Sequence, residues 1–428
     1  MSTNRFPALN PYAPGAYRIC TRCVMDTSDP ELTFDEQGVC HRCRRYDDVI
    51  ANYTYKPEIG WPKLRELAER IREEGKGKPY DCVIGLSGGV DSTFVAHLVK
   101  KELGLRPIAI HLDNGWNTEI AVHNIENVVK ILGIDLYTHV IDWEEFRDLQ
   151  KAFLRSSTPD SEVPTDHAIV SLLYQMAARQ GIRYVIGGSN YQTEQMVPYS
   201  WSYGHSDWKY IKGLNDAFGG RRLATYPHDT QFHRKWLYPY VKKIQVINVL
   251  NYIDYKKERA LELMKSELGW VSYGDKHHES IYTRFYQTYI LPRKFGADKR
   301  RPHLSCLINN GEMTRKQALH LMQQPTLDEE QMARDREFVI KKLGFGPAEF
   351  ETIMTAKPKG FWDYPSYERD PPFYDAVFNG VLRGYYGGRA LASRGVALAK
   401  AVAWLPYRAA RKAFRLIGGG ATGSKKAD

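Results

Sequence analysis

Between residues 80 and 190 the chain alternates short apolar runs with longer segments of helical period. Residues 80–86, 107–112, 135–141 and 183–188 are rich in Val, Ile and Tyr and are bounded by polar or Gly-containing stretches, which predicts strands. Residues 91–102, 120–132 and 166–179 space their apolar positions three and four apart, which predicts helices. Such alternation predicts an α/β fold: a parallel sheet with helices on both faces. Sheets of this kind place ligands beyond the carboxyl ends of their strands. The two most polar, Gly-rich segments, 87–92 and 187–194, fall at such ends. Further helices are predicted over 61–75, with Pro62 at its start, over 243–268, and as two short pieces within 314–345. Residues 195–240 are rich in Tyr, Trp, His and Gly, lack a period, and are expected to form a substrate-facing insertion. The resulting division is an arm and cysteine module (1–55), an α/β domain (56–240), a helical, basic region for substrate and phosphate (241–370) and a basic amphipathic tail (371–428).

Ser87-Gly88-Gly89-Val90-Asp91-Ser92 follows a predicted strand and opens a predicted helix. Backbone N–H groups at a helix start, with the helix dipole behind them, supply the close donors that phosphate oxygens need. Gly88 and Gly89 allow the backbone to approach, and Ser87 and Ser92 add hydroxyls. Asp91 would repel phosphate unless a cation lay between them, and Mg²⁺ meets that need. No Gly-Lys-Ser/Thr follows, so this is not a Walker A loop. The hexapeptide resembles the signature of the N-type ATP pyrophosphatases, the PP-loop superfamily that includes GMP synthetase, NAD synthetase, asparagine synthetase and tRNA-thiolating enzymes. The resemblance implies an adenine nucleotide α-hydrolase-like fold. It also implies cleavage of ATP between its α- and β-phosphates, AMP transfer to a carbonyl or amide oxygen, and displacement by nitrogen or sulfur. It assigns Ser87, Gly88, Gly89, Val90, Asp91 and Ser92 to pyrophosphate, Asp91 to Mg²⁺, Asp113 to the adenosine side, and Gly187 and Gly188 to the same nucleotide site.

Four of the six cysteines form the pattern Cys20-x₂-Cys23 … Cys40-x₂-Cys43, a tetrahedral zinc spacing. The residues after Met1 lack the apolar core of an export signal, which favours a metal over disulfides. An iron–sulfur cluster uses the same four thiolates. His41 is surplus to the set, and Arg18, Arg22, Arg42, Arg44 and Arg45 are expected to offset the thiolate charge. No apolar run is long enough to span a bilayer, so a cytoplasmic protein is expected. The formal charge is +10, but ten lysines and arginines against one acid lie between Ala376 and Asp428. The body is therefore nearly neutral, and no nucleic-acid partner is expected. In the tail, Arg408, Arg411, Lys412 and Arg415 share one helical face beside Trp404, Leu405 and Phe414. Peripheral contact with an anionic membrane, docking of a partner and a solvated end all fit that pattern.

A second constellation interleaves cations with His, Asp and Glu: Lys276, His277, His278 and Glu279, then Arg293, Lys294, Asp298, Lys299, Arg300, Arg301 and His303. It suits a polyanion or the neutralisation of developing charge. Together with the paired cysteines, the Ser87–Ser92 loop and Gly187-Gly188-Ser189-Asn190, the order of these motifs resembles the N-acetyl sugar amidotransferase family of bacterial surface-polysaccharide and nonulosonic acid pathways, over roughly residues 17–350. By that resemblance the substrate is an N-acetyl sugar, UDP-linked or of nonulosonic acid type. ATP adenylates its acetamido oxygen, and ammonia displaces AMP to give an acetamidino group. Lys276, Lys294, Lys299 and Arg300 are expected to meet phosphate charge. Asp166, Asn190, Glu194, His278, Glu279 and His303 are expected around the substrate, with Asp166 and Glu194 orienting it or ammonia. Residue 2 is Ser, Cys82 lies in a predicted core strand and Cys306 lacks a nucleophile elbow, so no glutaminase cysteine is evident. Ammonia is then expected from separate glutaminase and cyclase-like subunits, as in the resembling family. A tRNA-thiolating enzyme is the competing reading, and a zinc-bearing scaffold with a vestigial nucleotide site a third.

Overall fold

The computed structural model describes residues 17–274 and 278–372. Lys276, His277, the arm before residue 17 and the amphipathic tail lie outside the described residues. The chain divides into one unit ending at Ser366 and a second beginning at Tyr367. The cysteine module, the sheet and the helical region all belong to the first.

Helix α1 (His41–Tyr53) closes the cysteine module, and α2 (Pro57–Glu74) leads into the sheet. Strands β1 (Cys82–Gly85), β2 (Pro107–Asp113), β3 (Asp135–Val140), β4 (Tyr184–Gly187) and β5 (Gln245–Asn248) are all parallel, in the order β3-β2-β1-β4-β5. Between them lie α3 (Val90–His97), α4 (Glu119–Leu132), α5 (Trp143–Ser156), α6 (Val163–Gln180), the single turn α7 (Tyr191–Glu194) and α8 (Trp208–Phe218). The C-terminal region adds α9 (Lys257–Leu268), α10 (Ile281–Phe285), α11 (Leu291–Phe295), α12 (Arg300–Asn309), α13 (Arg315–Gln323), α14 (Glu329–Leu343) and α15 (Pro347–Thr355).

Side chains alternate between the two faces of the sheet, as a pleated strand requires. Val83, Ile108, Ile110 and Val185 join a core with α5, α6 and α10, built on Phe146, Phe153, Tyr282 and Phe285. Cys82, Ile84, Ala109 and Ile186 join the opposite core, with Leu64 of α2, Ile125 of α4 and Met264 of α9. Strands β1 and β4 are covered on both faces, so they are apolar at nearly every position rather than alternating.

Two expectations are corrected and one helix is added. The helix predicted over 243–268 is strand β5, a 3₁₀ turn at Val249–Tyr252 and then α9. Val246 and Ile247 are β-branched, and the free edge of β4 offers them a ladder that ends at Gly187–Asn248. Helix α5 was not anticipated. Asp142 caps it by accepting from Glu145 N at 2.9 Å, and Phe146, Leu149 and Phe153 bury its inner face. Helix α2 begins at Pro57, so Pro62 lies inside it.

Candidate active site

Strand order reverses at β1, whose neighbours are β2 and β4. A crevice therefore opens beyond the carboxyl ends of β1 and β4. The Ser87–Ser92 loop leaves β1 there, and Gly187-Gly188 leaves β4. Gly88 has φ +78°, and a Cβ on it would stand 2.5 Å from the Ala121 carbonyl oxygen, so only glycine fits. A Cβ on Gly188 would lie 3.5 Å from the Asp91 carbonyl, which measures how closely the two segments approach. The loop is braced internally: the Ser87 and Ser92 hydroxyls are 3.0 Å apart, Ser87 N donates to Ser92 Oγ at 3.2 Å, and Gly89 N donates to Ser87 Oγ at 3.2 Å. Asp91 stands in the first turn of α3, where it accepts the hydroxyl of Tyr255. Burial and the facing Asp91 raise the Tyr255 pKa, so the phenol keeps its proton.

A cavity of about 390 Å³ adjoins the ends of β2 and β3, lined by His111, Asp113, Gly115, Asn117, Glu126 and Leu136. That volume suits a small-molecule site. Asp113 Oδ1 accepts from Gly115 N at 2.9 Å, shaping the turn that forms its rim. His111 lies 2.9 Å from the Leu86 carbonyl through Nδ1, so Nδ1 carries the proton and Nε2 accepts from Asn117 at 3.1 Å. Burial pushes its pKa down, so it is neutral.

The segment after α9 lies across the loop. Trp270 Nε1 donates to the Gly88 carbonyl at 3.0 Å. A Cβ on Gly89 would stand 3.1 Å from Glu279 Oε1 and 3.4 Å from the Tyr273 hydroxyl. Thr118 N donates to the Glu279 carbonyl at 2.9 Å, and Asn117 and Ser280 form an isolated bridge. Glu279 therefore lies against Gly89 of the 87–92 loop, while the buried His278 faces Gly274.

A second group of charges meets at the start of α6. His205 Nε2 lies 3.3 Å from Asp160 and 3.3 Å from Asp166. Lys299 Nζ lies 3.5 Å from Glu162, which also accepts from Gln287 at 2.9 Å. Despite burial, the Lys299 and His205 partners hold Asp160 at about 2. Burial raises Asp166 to about 6, and the two carboxylates raise His205 to about 9 against its burial. Asn114 Nδ2 donates to Thr165 Oγ1 at 3.2 Å, and Ser161 and Tyr282 hydroxyls are 2.7 Å apart. These bonds tie the group to the end of β2 and to the segment over the loop. Beside it, His167 donates from Nδ1 to the His205 carbonyl at 2.9 Å and accepts from Asp229 N at 3.2 Å, and burial holds it neutral with a pKa of about 3. Trp208 stacks on His228 at 3.9 Å and, with Tyr226, packs on His167 of α6, so the 195–240 insertion joins α6 through a mostly buried aromatic stack.

The expected residues do not all converge. Asp166 and Lys299 do, joined by Asp160, Glu162 and His205, which the sequence reading missed. Asn190 caps α7 through Thr193 N at 2.8 Å, and Glu194 Oε2 accepts from Asn190 N at 3.3 Å. Glu194 also faces Tyr255, the partner of Asp91. Lys294 is 2% exposed and donates to Ser157 Oγ at 2.8 Å and to the Ile353 carbonyl. Arg300 holds Asp298 at 2.8 Å and reaches the Leu321 and Gln324 carbonyls. His303 lies in the first turns of α12. Lys294 and Arg300 are thus engaged in joining helices rather than lining the loop.

The four cysteines gather as expected. Their sulfurs lie within 4.8 Å of one another, with Cys23–Cys40 and Cys40–Cys43 each 3.7 Å apart. A tetrahedron of ~2.3 Å zinc–sulfur bonds has edges of about that length, so the donor set fits zinc. Backbone N–H groups of Arg22, Cys23 and Cys40 point at Cys20 Sγ, and Asn309 Nδ2 lies 3.5 Å from Cys43 Sγ. His41 instead takes Thr33 N at 3.1 Å. The arginines are largely committed elsewhere, Arg22 to Asp47, Arg42 to Asp29 and Glu31, and Arg44 to Asp35, so the backbone does much of the work first expected of them. The module packs on α7 and α12: Tyr46 donates to the Gln192 carbonyl at 3.0 Å, and Arg301 pairs with Asp26 at 2.8 Å.

A family model described as NAD synthase matches residues 64–219, and one described as LPS biosynthesis protein WbpG-like, C-terminal domain, matches residues 279–377. The chain is similar to the glutamine-hydrolyzing GMP synthase of Pyrobaculum aerophilum, 35% identical over 113 residues, which are 26% of this chain and 20% of that protein. It is also similar to that of Thermosipho africanus, 29% identical over 171 residues, 38% and 31% of the two chains. It thus spans 20% and 31% of these relatives' lengths. The solved NMN synthetase of Francisella tularensis is 16% identical, with 71% of this chain and 97% of that one covered at a TM-score of 0.33. Both resemblances read from the motifs are met at the level of these families.

Proposed function

We propose that this chain, in which an NAD synthase-type PP-loop segment meets a WbpG-like lipopolysaccharide-biosynthesis C-terminal domain, is an ATP-dependent, AMP-forming amidotransferase acting on an N-acetyl sugar. One observation carries the reading. The WbpG-like segment begins at Glu279, and Glu279 lies on Gly89 of the phosphate loop. In this reading a segment similar to lipopolysaccharide-biosynthesis proteins would border the site where the nucleotide is cleaved, which supports a substrate from that pathway.

In this reading the acetamido oxygen attacks the α-phosphorus of ATP, and pyrophosphate leaves into the donors of residues 87–92. Activation is needed because an amide oxygen is a poor leaving group. Ammonia then adds to the activated carbon, and AMP departs with the electrons of the C–O bond. Asp91 and the loop serines are hard oxygen donors beside the phosphates, so they fit Mg²⁺, which would neutralise pyrophosphate charge. Lys276, which lies outside the described residues, is assigned to the phosphates on the sequence resemblance alone.

Ammonia is assigned to separate glutaminase and cyclase-like subunits. Cys82 and Cys306 are both 0% exposed, and burial raises the Cys82 thiol, so neither serves as a nucleophile. The same facts count against thiolation of tRNA, which needs a sulfur carrier, as does the nearly neutral body. No helix among the described residues is long and apolar enough to cross a membrane. The basic tail is assigned a peripheral role at an anionic membrane in a cytoplasmic enzyme. The test is incubation with ATP, Mg²⁺, ammonium and UDP-N-acetyl sugars. AMP and a product in which O is replaced by NH support the reading, whereas thiolated tRNA with no sugar product overturns it.

A further inference from the structure

The stretch that leaves β2 forms the rim of the cavity, which Asp113, Gly115 and Asn117 line. Its backbone is held largely by residues far along the chain. Ile281 N donates to the Trp116 carbonyl at 2.9 Å, and Thr118 N donates to the Glu279 carbonyl at 2.9 Å. The turn at Gly115 is gripped at both of its polar groups. Asp113 takes the Gly115 N–H at 2.9 Å, and the Gly115 carbonyl accepts from the ammonium of Lys342, in the last turn of α14. Gly115 has φ +77°, a conformation that glycine leaves as readily as it enters. The shape of the rim therefore depends on those two contacts.

Lys342 sits in a box of aromatic rings. Its Nζ lies 4.8 Å from the Trp116 ring centre, 5.0 Å from that of Trp143 and 5.4 Å from that of Phe338. Such faces attract a cation while shielding it from water. Burial lowers the Lys342 pKa, and the charge of Asp113 opposes that shift. Helix α14 is itself fixed. Arg284 of α10 grips both Asp335 oxygens at 2.7 and 2.8 Å, and Val339 and Leu343 join the core that holds Trp116 and Tyr282.

We propose that Lys342 is a positioning residue for the nucleotide: by holding the Gly115 carbonyl from α14, it keeps Asp113 and the cavity rim where the nucleoside half of ATP meets them. The proposal rests on the nucleotide reading above. Two features set Lys342 apart from a surface lysine near a carbonyl. Three rings and one carbonyl converge on its ammonium, and that carbonyl belongs to a residue lining the cavity. The turn also has no slack toward α14, since a Cβ on Gly115 would stand 3.4 Å from Trp143 and 3.5 Å from Lys342 Nζ. A cavity built on the NAD synthase-type segment thus takes its shape from a residue of the WbpG-like segment. Without the ammonium, the Gly115–Trp116 peptide rotates and Asp113 loses its N–H partner. The 87–92 loop is braced instead by its own hydroxyls and by Trp270, so pyrophosphate bound there does not feel the loss.

The test titrates the full chain by calorimetry with AMP and, separately, with magnesium pyrophosphate. A wild type that binds no AMP overturns the nucleotide reading itself. If AMP binds, Lys342→Met is expected to raise its Kd roughly tenfold, the effect of losing a charged donor, and to leave the Kd for pyrophosphate within about twofold. Lys342→Arg, which keeps the charge, the donors and the stacking on rings, should recover most of the AMP affinity. In Lys342→Ala, propylammonium replaces the missing end of the side chain in the box and should restore AMP binding. It should do nothing for the wild type or for K342M, whose side chain fills the box. This second variant decides the matter if K342M does not fold. An unchanged Kd for AMP, equal weakening of AMP and pyrophosphate, or a K342A protein that propylammonium fails to restore would overturn the positioning role.

Discussion

The Trp270 indole donates to the Gly88 carbonyl at 3.0 Å across 182 residues of sequence. The phosphate loop is thereby held from above by the segment that leads into the WbpG-like domain, and from the side by Ala121. Gly88→Ala must displace Ala121, because its Cβ would lie 2.5 Å from the Ala121 oxygen at a φ of +78°. Sugar-dependent pyrophosphate release is expected to fall by a factor on the order of 100 or more, with about 1–3 kcal/mol lost from stability. Trp270→Phe, which leaves the carbonyl without that donor, should cost about 1–3 kcal/mol and a smaller share of activity. Coupled pyrophosphate assays and denaturant melts measure both.

Tyr255→Phe removes the hydroxyl that orients Asp91. A hydrogen bond to a charged group is worth about 1.5–3 kcal/mol, so the KM for Mg·ATP is expected to rise roughly tenfold or more while the far-ultraviolet spectrum is unchanged. An unaltered KM would mean that Asp91 is not held by this contact.

Zinc should be present at one ion per chain and should be lost from Cys40→Ser. The module supports α7 and α12 through Tyr46, Arg301 and Asn309. Losing the metal is therefore expected to lower the melting temperature and the activity together. Elemental analysis alongside melting curves checks this, and a coloured, iron-bearing protein would replace zinc with a cluster.

Lys294 gives a pH signature. Burial lowers its folded pKa from 10.5 to about 8, so below that the folded state holds a charge in a dry place, at a cost on the order of 3 kcal/mol. Between about 8 and 10.5 the unfolded chain binds more protons than the folded one, so this contribution to stability rises with pH. Relative to Lys294→Met, the wild type is expected to gain stability across that window and not below it. Parallel unfolding curves from pH 7 to about 10.5 test the sign.

Much of this site was legible because its chemistry is local in sequence. Ser87–Ser92 and the two cysteine pairs each complete a function within a few residues, and the strand–loop–helix context could be read beside them. Asp160, Glu162, His205 and Lys299 gave no such signal, because the fold assembles them from three segments. The acids just before Pro164, at a helix start, were the nearest hint. Lys294 and Arg300 illustrate the reverse failure: a basic cluster in sequence distributes its charges among carbonyls and Asp298 once helices α11 and α12 turn them apart. Strand β5 was mistaken for helix because a four-residue edge strand is defined by its neighbour β4 rather than by its own period.

Transfer of the acetamido oxygen to AMP is the central claim, and isotope tracing tests it directly. With a UDP-N-acetyl sugar labelled with ¹⁸O in its acetamido group, plus ATP, Mg²⁺ and ammonium, the label should appear in AMP in step with acetamidino product. AMP formed without the label, or product formed while AMP stays unlabelled, would contradict the account.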